Sequence, residues 1–270
     1  MGATRTELIV PTAPKNKETV MPHLPIGLQL YSVREDCERD LPGVLAQVAR
    51  MGYAGVEFAG YYGRTASELR LMLDDNGLRC CGTHTALDTI LGDALPQTIE
   101  FSQALGNRFL IVPGLDAERT HSIDAWAETA GLFNEASERA APSGMLVGYH
   151  NHSEEFQPLE DALPWDVFFG DTRREIVMQV DTGNMMVGGA DPAQSLERYP
   201  GRALTVHLKE FHPDDPNALV GDGFVPWPEI FRVCESVGGT QWYIVEQETY
   251  AYPPLECVDR CLQNLRGMGK

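Results

Sequence analysis

The chain has 270 residues, of which 39 are acidic and 21 are basic, so its formal net charge is −18. Such a charge repels polyanions, which argues against nucleic acid as a partner. The longest apolar runs are too short to span a bilayer, which argues against a membrane protein. The six cysteines form no recognisable zinc or disulfide spacing, so we expect reduced thiols and a cytoplasmic protein.

Residues 1–25 contain several prolines and lack the basic and apolar segments of a signal peptide. We interpret them as an N-terminal extension that is either flexible or packed on the barrel, and that could form a lid on a neighbouring subunit. A homo-oligomer or a partner subunit therefore remains open.

From Ile26 onward, short apolar runs alternate with amphipathic segments, the pattern of a parallel sheet covered by helices. The first predicted helix begins at Asp40 and ends at Gly52, and the second begins with a capping box of Thr65 and Glu68. In chain order, we predict strands at 26–31, 55–58, 78–83, 109–113, 145–150, 176–180, 203–208 and 242–246. The intervening and final helices are predicted at 40–51, 65–76, 95–105, 122–141, 164–169, 192–199, 227–237 and 254–268.

Eight such units without a linker predict an α/β fold: one (β/α)₈ TIM barrel over residues 26–270, preceded by the short extension. An open doubly wound sheet is the alternative. It is disfavoured because the glycine-rich phosphate turn expected after its first strand is missing, and Tyr31-Ser-Val-Arg34 stands there instead.

Polar side chains recur where the predicted strands end, and barrel enzymes carry their chemistry at that face. In chain order these residues are Glu57, His84, His150, His152, Asp181, His207, Lys209 and Glu246. His84, Lys209, Glu57 and Trp227 are candidates for substrate binding, although Lys209 could equally be a solvated loop cation, and Glu57 and Trp227, taken singly, are more typical of packing or surface. Their convergence on one face predicts a functional site.

Three of these residues, Asp181, His207 and Glu246, follow neighbouring strands and form an oxygen and nitrogen donor set suited to Mn²⁺, Mg²⁺, Co²⁺ or Zn²⁺. The alternatives are a helix or turn cap for Asp181 and an ordinary core histidine for His207. Glu246 ends an apolar strand, where an unpaired buried carboxylate would be costly, so a metal or a cationic partner is expected.

The segment Gly148–Phe156, Gly-Tyr-His-Asn-His-Ser-Glu-Glu-Phe, concentrates imidazoles and carboxylates at the end of the fifth strand. Side chains two residues apart on an extended segment point the same way, so His150 and His152 can converge. Glu154 or Glu155 can reach in from the loop. The alternative is a pair of hydrogen-bonded or surface histidines.

Several motifs resemble those of the sugar phosphate isomerase/epimerase group of xylose isomerase-like barrels. They are His-Asn-His-x-x-Glu-Phe at 150–156, Val-Asp-Thr-Gly-Asn at 180–184, Val-His-Leu-Lys at 206–209, Gly-Asp-Gly-x-x-x-Trp-Pro-Glu-Ile-Phe at 221–231 and Ile-Val-Glu-Gln at 244–247. The resemblance implies a divalent metal, Mn²⁺ first, held by Asp181, His207 and Glu246. His150 stands where the wider pattern has a glutamate, so either His150 or Glu155 completes the set, and Glu155 is slightly favoured as a third carboxylate.

Such a metal would stabilise the enolate formed when a carbohydrate carbonyl loses a neighbouring proton. We expect His152 to act as the base, with Glu246 or His84 on the other side. The resulting function is isomerisation or epimerisation of a keto sugar. The alternative is a lyase that performs β-elimination on 3-keto sugars or glycosides. A phosphodiester-cleaving repair enzyme is opposed by the acidic charge, and a non-catalytic sugar-binding or assembly subunit is the hypothesis from another class.

Overall fold

The computed structural model describes residues 23–270, in which eight parallel strands close into one barrel. Each strand pairs with the next along the chain, and the first pairs with the last. The strands are β1 Ile26–Gln29, β2 Gly55–Ala59, β3 Arg79–His84, β4 Phe109–Val112, β5 Leu146–His150, β6 Val177–Asp181, β7 Thr205–Leu208 and β8 Trp242–Val245. The predicted (β/α)₈ barrel is confirmed. Residues 1–22 of the predicted extension lie outside the described residues.

Helices cover the outside of the barrel. They are α1 Arg34–Met51, α2 Ala66–Asn76, α3 Leu95–Leu105, α4 Ala117–Thr120, α5 Ile123–Ala140, α6 Pro164–Asp171, α7 Thr182–Val187, α8 Pro192–Arg198, α9 Trp227–Val233 and α10 Pro254–Gly267. Within residues 23–270, none of these helices combines the length and apolarity needed to cross a membrane.

Alternation along each strand sorts side chains to the two faces of the barrel wall. In β6, Met178 and Val180 pack outward against the helices, whereas Val177 joins an inner apolar cluster. That inner cluster fills one end of the barrel with Cys81, Phe109, Ile111, Val177, Trp242 and Ile244. Two residues further along β6 and β8, the inward positions are the polar residues Gln179 and Glu246. The same alternation therefore builds an apolar plug below and a polar layer above it.

Local signals placed several element ends correctly. Asp40 accepts a hydrogen bond from the Gly43 amide at 3.0 Å, and Thr65 and Glu68 form the expected capping box. Gly52 ends α1 at φ 101°, a left-handed conformation that favours glycine. Helical structure already begins at Arg34, however, and Asp40 marks a kink at φ −156° and ψ 73° inside α1. The cap prediction identified the second half of a longer, bent helix.

Gly148 shows why the fifth strand can carry its site. A Cβ atom at this inward position would lie 2.6 Å from Ile111 Cδ1 and 2.8 Å from the Val177 carbonyl oxygen. Any side chain there would push the neighbouring strands apart. Glycine lets β4, β5 and β6 close beneath His150, which is the next inward position.

Candidate metal centre and substrate cleft

Four side chains with metal-ligating atoms meet at the ends of the last four strands. They are His150, Asp181, His207 and Glu246, each at most 4% exposed, with one potential ligand atom from each within 4.8 Å of the others. The three residues predicted from neighbouring strands are thus brought together, and the fourth member of the group is His150.

Asp181 divides its two carboxylate oxygens between two environments. Oδ1 accepts a hydrogen bond from the Asn184 amide at 2.7 Å and so caps α7, a short helix that the sequence analysis missed. Oδ2 is buried and has no hydrogen-bond partner among residues 23–270. Burial raises the pKa of this carboxyl to about 8. A buried, unpaired carboxylate oxygen is costly, and a cation in the group would satisfy it.

His207 lies between two carboxylates. Its Nε2 is 2.6 Å from Glu57 Oε2, and its Nδ1 is 2.9 Å from Glu246 Oε2 and 3.9 Å from Asp181 Oδ2. Burial alone would lower the pKa of His207, but the charges of Glu57 and Glu246 raise it to about 10. The bond to Glu57 orients the ring so that Nδ1 faces the other members of the group, as supporting carboxylates do for metal-binding histidines.

Glu57 lies beneath the group instead of beside a substrate. Its carboxylate is fully buried and accepts hydrogen bonds from Gln29 Nε2 at 2.8 Å and Gln179 Nε2 at 2.9 Å, in addition to its contact with His207. Burial alone would raise the pKa of Glu57, but His84 and His207 lower it well below its usual range. The expected substrate-binding role does not fit this position, because the side chain points into the barrel and its oxygens are already occupied.

Glu155 also lies outside the group, although the sequence analysis favoured it as the fourth ligand. Its Oε1 accepts from the Tyr149 hydroxyl at 2.5 Å, and its Oε2 accepts from the His152 amide at 2.8 Å. Tyr149 points outward, where its ring packs against Trp126 and Phe133. The loop after β5 therefore turns this carboxylate towards the helices and away from the barrel mouth.

A cleft of about 590 Å³ opens above the group at the C-terminal ends of the strands. His84, His150, His152 and Glu246 line its floor and wall, and His152 is exposed. The other walls come from the loops after β1 to β4 and from Glu248 beyond β8. This size suits a small organic molecule in contact with the four-residue group.

Lys209 and Trp227 are not among the residues that line this cleft. The Lys209 ammonium donates to Glu248. Burial alone would lower its pKa, but Asp181 and Glu246 raise it above the usual range. The Trp227 indole donates to Glu210 Oε2 at 2.8 Å beneath the loop before α9. Lys209 thus holds charge beside the site, whereas Trp227 belongs to the packing of that loop.

The sequence analysis missed Gln179 and Asn151. Gln179 stands two residues before Asp181 in β6, so both side chains point inward, and its amide contacts Glu57, His84 and His150. Asn151 Oδ1 accepts from the Asp181 amide at 2.8 Å and ties β5 to β6. Gln179 could have been predicted, because it is a polar residue in an apolar strand and stands two residues from the predicted ligand Asp181, so that both side chains lie on the same face.

Residues 45–266 match the family model described as xylose isomerase-like TIM barrel. Two relatives named inosose dehydratase, from Erwinia tasmaniensis and Klebsiella pneumoniae, are 25% and 23% identical, and each alignment covers 78% of this chain and 83% of the relative. A crystal structure of a sugar phosphate isomerase/epimerase from Parabacteroides distasonis is similar at a TM-score of 0.77 and 26% identity, over 92% of this chain and 96% of that one.

Proposed function

The chain belongs to the xylose isomerase-like TIM barrel family, and from this premise we propose that it is a metal-dependent enzyme that removes a proton next to the carbonyl of a keto sugar or keto polyol. The observation that carries the proposal is the buried group of His150, Asp181, His207 and Glu246 at the floor of the cleft, in which Asp181 Oδ2 lacks a hydrogen-bond partner within the part of the chain that the structure describes. A group built only for stability would have paired that oxygen.

The donor set consists of two imidazoles and two carboxylates, which suits Mn²⁺ first and also Mg²⁺, Co²⁺ or Zn²⁺. The ion would be held by His150, Asp181, His207 and Glu246. When bound, it would polarise a substrate carbonyl and stabilise the negative charge that develops as the neighbouring C–H bond is broken.

His152 is the residue we assign to proton transfer. Its ring is exposed in the cleft, and its centroid lies 5.3 Å from that of His150. An imidazole can accept a proton and return it within one turnover. His152 therefore stands close enough to the four-residue group to act on a carbon next to a carbonyl held there.

The charges around the cleft favour a substrate without phosphate. Asp88, Asp116 and Glu248 line it, with Arg119 as the only lysine or arginine among the lining residues. These carboxylates would repel a phosphate and can accept hydrogen bonds from hydroxyl groups. A neutral keto sugar or keto polyol fits this lining.

The six cysteines are all buried and unpaired, which supports a reducing, cytoplasmic setting.

Elimination of water is the reaction we favour. His152 takes the proton from the carbon next to the carbonyl, a double bond forms to the following carbon, and the hydroxyl of that carbon leaves with a proton as water. One imidazole suffices if the proton and the hydroxyl lie on the same face, since the proton it has taken can be passed to the leaving hydroxyl. The two inosose dehydratases, each aligned over 83% of its length, support this choice.

Isomerisation or epimerisation is the second candidate. The likeness to the Parabacteroides distasonis structure favours it. It needs reprotonation at the adjacent carbon or on the opposite face. Glu246 and His84, which also line the cleft, are the groups available for that step.

The test is incubation of the Mn²⁺-loaded protein in D₂O with a panel of keto sugars, inososes and 3-keto glycosides. We expect deuterium next to the carbonyl, or an unsaturated product with loss of water. Epimers or isomers as the sole products would select the second candidate. Absence of exchange and product across the panel, or failure to bind any divalent ion, would contradict both and favour a non-catalytic sugar-binding protein.

A further inference from the structure

Gln179 is a buried amide that contacts four side chains beneath the candidate metal centre. Its Nε2 lies 2.9 Å from both Glu57 Oε1 and Thr205 Oγ1. Its Oε1 lies 2.9 Å from His84 Nε2 and 3.2 Å from His150 Nδ1. The side chain is completely shielded from solvent. The amide therefore joins a carboxylate on one side to two imidazoles on the other.

The orientation of this amide follows from its partners. Glu57 also accepts from Gln29 Nε2 at 2.8 Å and contacts His207 Nε2 at 2.6 Å, so it is surrounded by donors and acts as an ionised acceptor. Only the NH₂ end of Gln179 can face such a carboxylate. Its carbonyl oxygen must then face the two histidines.

An amide oxygen can only accept, so both imidazole nitrogens that face it must carry protons. His84 is therefore protonated at Nε2, which also lies 3.2 Å from Glu57 Oε2. His150 is protonated at Nδ1. In the neutral ring of each residue, the other nitrogen keeps its lone pair.

We propose that Gln179 is a positioning residue that selects the tautomers of two histidines at once, leaving the His150 Nε2 lone pair for the metal and the His84 Nδ1 lone pair for a substrate hydroxyl. The part that concerns substrate rests on the proposed function. The part that concerns His150 rests on the side-chain contacts and on the candidate metal centre. His150 Nε2 lies 3.9 Å from Glu246 Oε2, on the side of the other members of the group. His84 lines the cleft, and its Nδ1 has no hydrogen-bond partner among residues 23–270.

The arrangement explains why a strand-five histidine can replace a carboxylate at this position. An imidazole free to exchange tautomers would present a proton to the metal for part of the time. A fixed acceptor at Nδ1 removes that state and strengthens the other nitrogen as a ligand. Gln179 supplies this acceptor from the neighbouring strand, since β5 and β6 pair His150 with Gln179 directly.

The direct test is long-range ¹H–¹⁵N NMR of the metal-free wild-type protein, which distinguishes the two neutral tautomers of each of its seven histidines. We expect the proton of His150 on Nδ1 and that of His84 on Nε2. A proton on His150 Nε2, or an equal mixture of tautomers in both rings, would overturn the proposal. This measurement needs neither a variant nor a substrate.

The second test compares Gln179→Met with Gln29→Met by Mn²⁺ titration, after unfolding curves have shown that both are folded. Gln29 is the matched control, because its amide also donates to Glu57 but makes no hydrogen bond to His84 or His150. We expect Gln179→Met to weaken Mn²⁺ binding about 10- to 100-fold, as loss of a supporting partner does, and to mix the tautomers of His150. Gln29→Met should stay near wild type in both respects. Equal losses in the two variants would mean that only packing around Glu57 matters.

These outcomes are separable from the proposed function. Correct tautomers in a protein that exchanges no substrate proton would remove the proposed chemistry and leave the role of Gln179 towards His150 intact. Substrate exchange with the wrong tautomers would do the reverse.

Discussion

The loop after β5 and the end of β6 each carry a buried carboxylate, and the two carboxylates differ in how their oxygens are hydrogen-bonded. Both oxygens of Glu155 receive hydrogen bonds from its own segment, through the Tyr149 hydroxyl and the His152 amide. In Asp181, Oδ1 caps α7, and Oδ2 has no hydrogen-bond partner from the described residues. A position at or near a strand end therefore does not by itself make a carboxylate a metal ligand. What matters is whether the local chain has already supplied donors to every oxygen.

The largest effect is expected from Asp181→Asn. The amide oxygen can still cap α7 through the Asn184 amide, but the charge facing the other three residues is lost. We expect Mn²⁺ affinity to fall by at least about 100-fold, beyond the usual cost of losing a supporting partner, and turnover to disappear. Isothermal titration with Mn²⁺ and the D₂O assay would measure the two losses. Wild-type affinity in this variant would remove Asp181 from the metal centre.

The next largest effect should come from His152→Ala. The ring lies in the cleft but outside the four-residue group, so we expect metal binding to persist. Loss of a general base should slow deuterium exchange about 10²- to 10⁴-fold. His150→Ala is the matched comparison and should lose the metal as well. If His152→Ala also loses it, the division of roles between these two histidines is wrong.

Glu155→Gln should affect the stability of the protein more than its affinity for the metal. The amide can keep one of the two hydrogen bonds but replaces a charged acceptor next to Tyr149. We expect the free energy of unfolding to fall by about 1–3 kcal/mol, the cost of weakening a buried bond to a charged group, with Mn²⁺ affinity unchanged. Urea unfolding and metal titration measure these separately. A clear loss of affinity would restore Glu155 as a candidate ligand.

Per pH unit, the smallest effect is the pH dependence of the free energy of unfolding of the metal-free protein. Burial alone would lower the pKa of His207, but Glu57 and Glu246 raise it from 6.5 to about 10. The stabilisation from this charged ring is therefore complete below pH 6.5 and is lost as the pH rises towards 10, with a slope of at most about 1.4 kcal/mol per pH unit for one group. Urea unfolding with a chelator at several pH values would show it. In His207→Gln the free energy of unfolding should change less over the same pH interval. An unchanged slope would mean that other groups cause the pH dependence.

Much of the barrel could be predicted because it depends on local periodicity. Thr65 and Gly52 gave correct element ends, whereas Asp40 marks a kink inside α1, and the convergence of Asp181 and His207 followed from their place at the ends of neighbouring strands. α7 was missed because Thr-Gly-Asn after a strand resembles a turn more than a helix. The sequence left two roles open for Asp181, a helix cap and a metal ligand. Oδ1 caps α7, and Oδ2 lies in the candidate metal centre.

The barrel, the face that carries the polar residues, and the convergence of Asp181, His207 and Glu246 could be predicted from the sequence alone, because they follow from the alternation of strands with helices and from the order of parallel strands. The tertiary structure showed that His150, and not Glu155, lies with these three residues, and it revealed Gln179 beneath them. A hydrogen-bond donor that comes from a loop or from the neighbouring strand leaves no pattern in the sequence around the residue to which it donates. Such a contact therefore cannot be predicted from local periodicity. Gly148–Phe156 contains both candidate residues, His150 and Glu155. The packing of Tyr149 against the outer helices holds Glu155 away from the other members of the group.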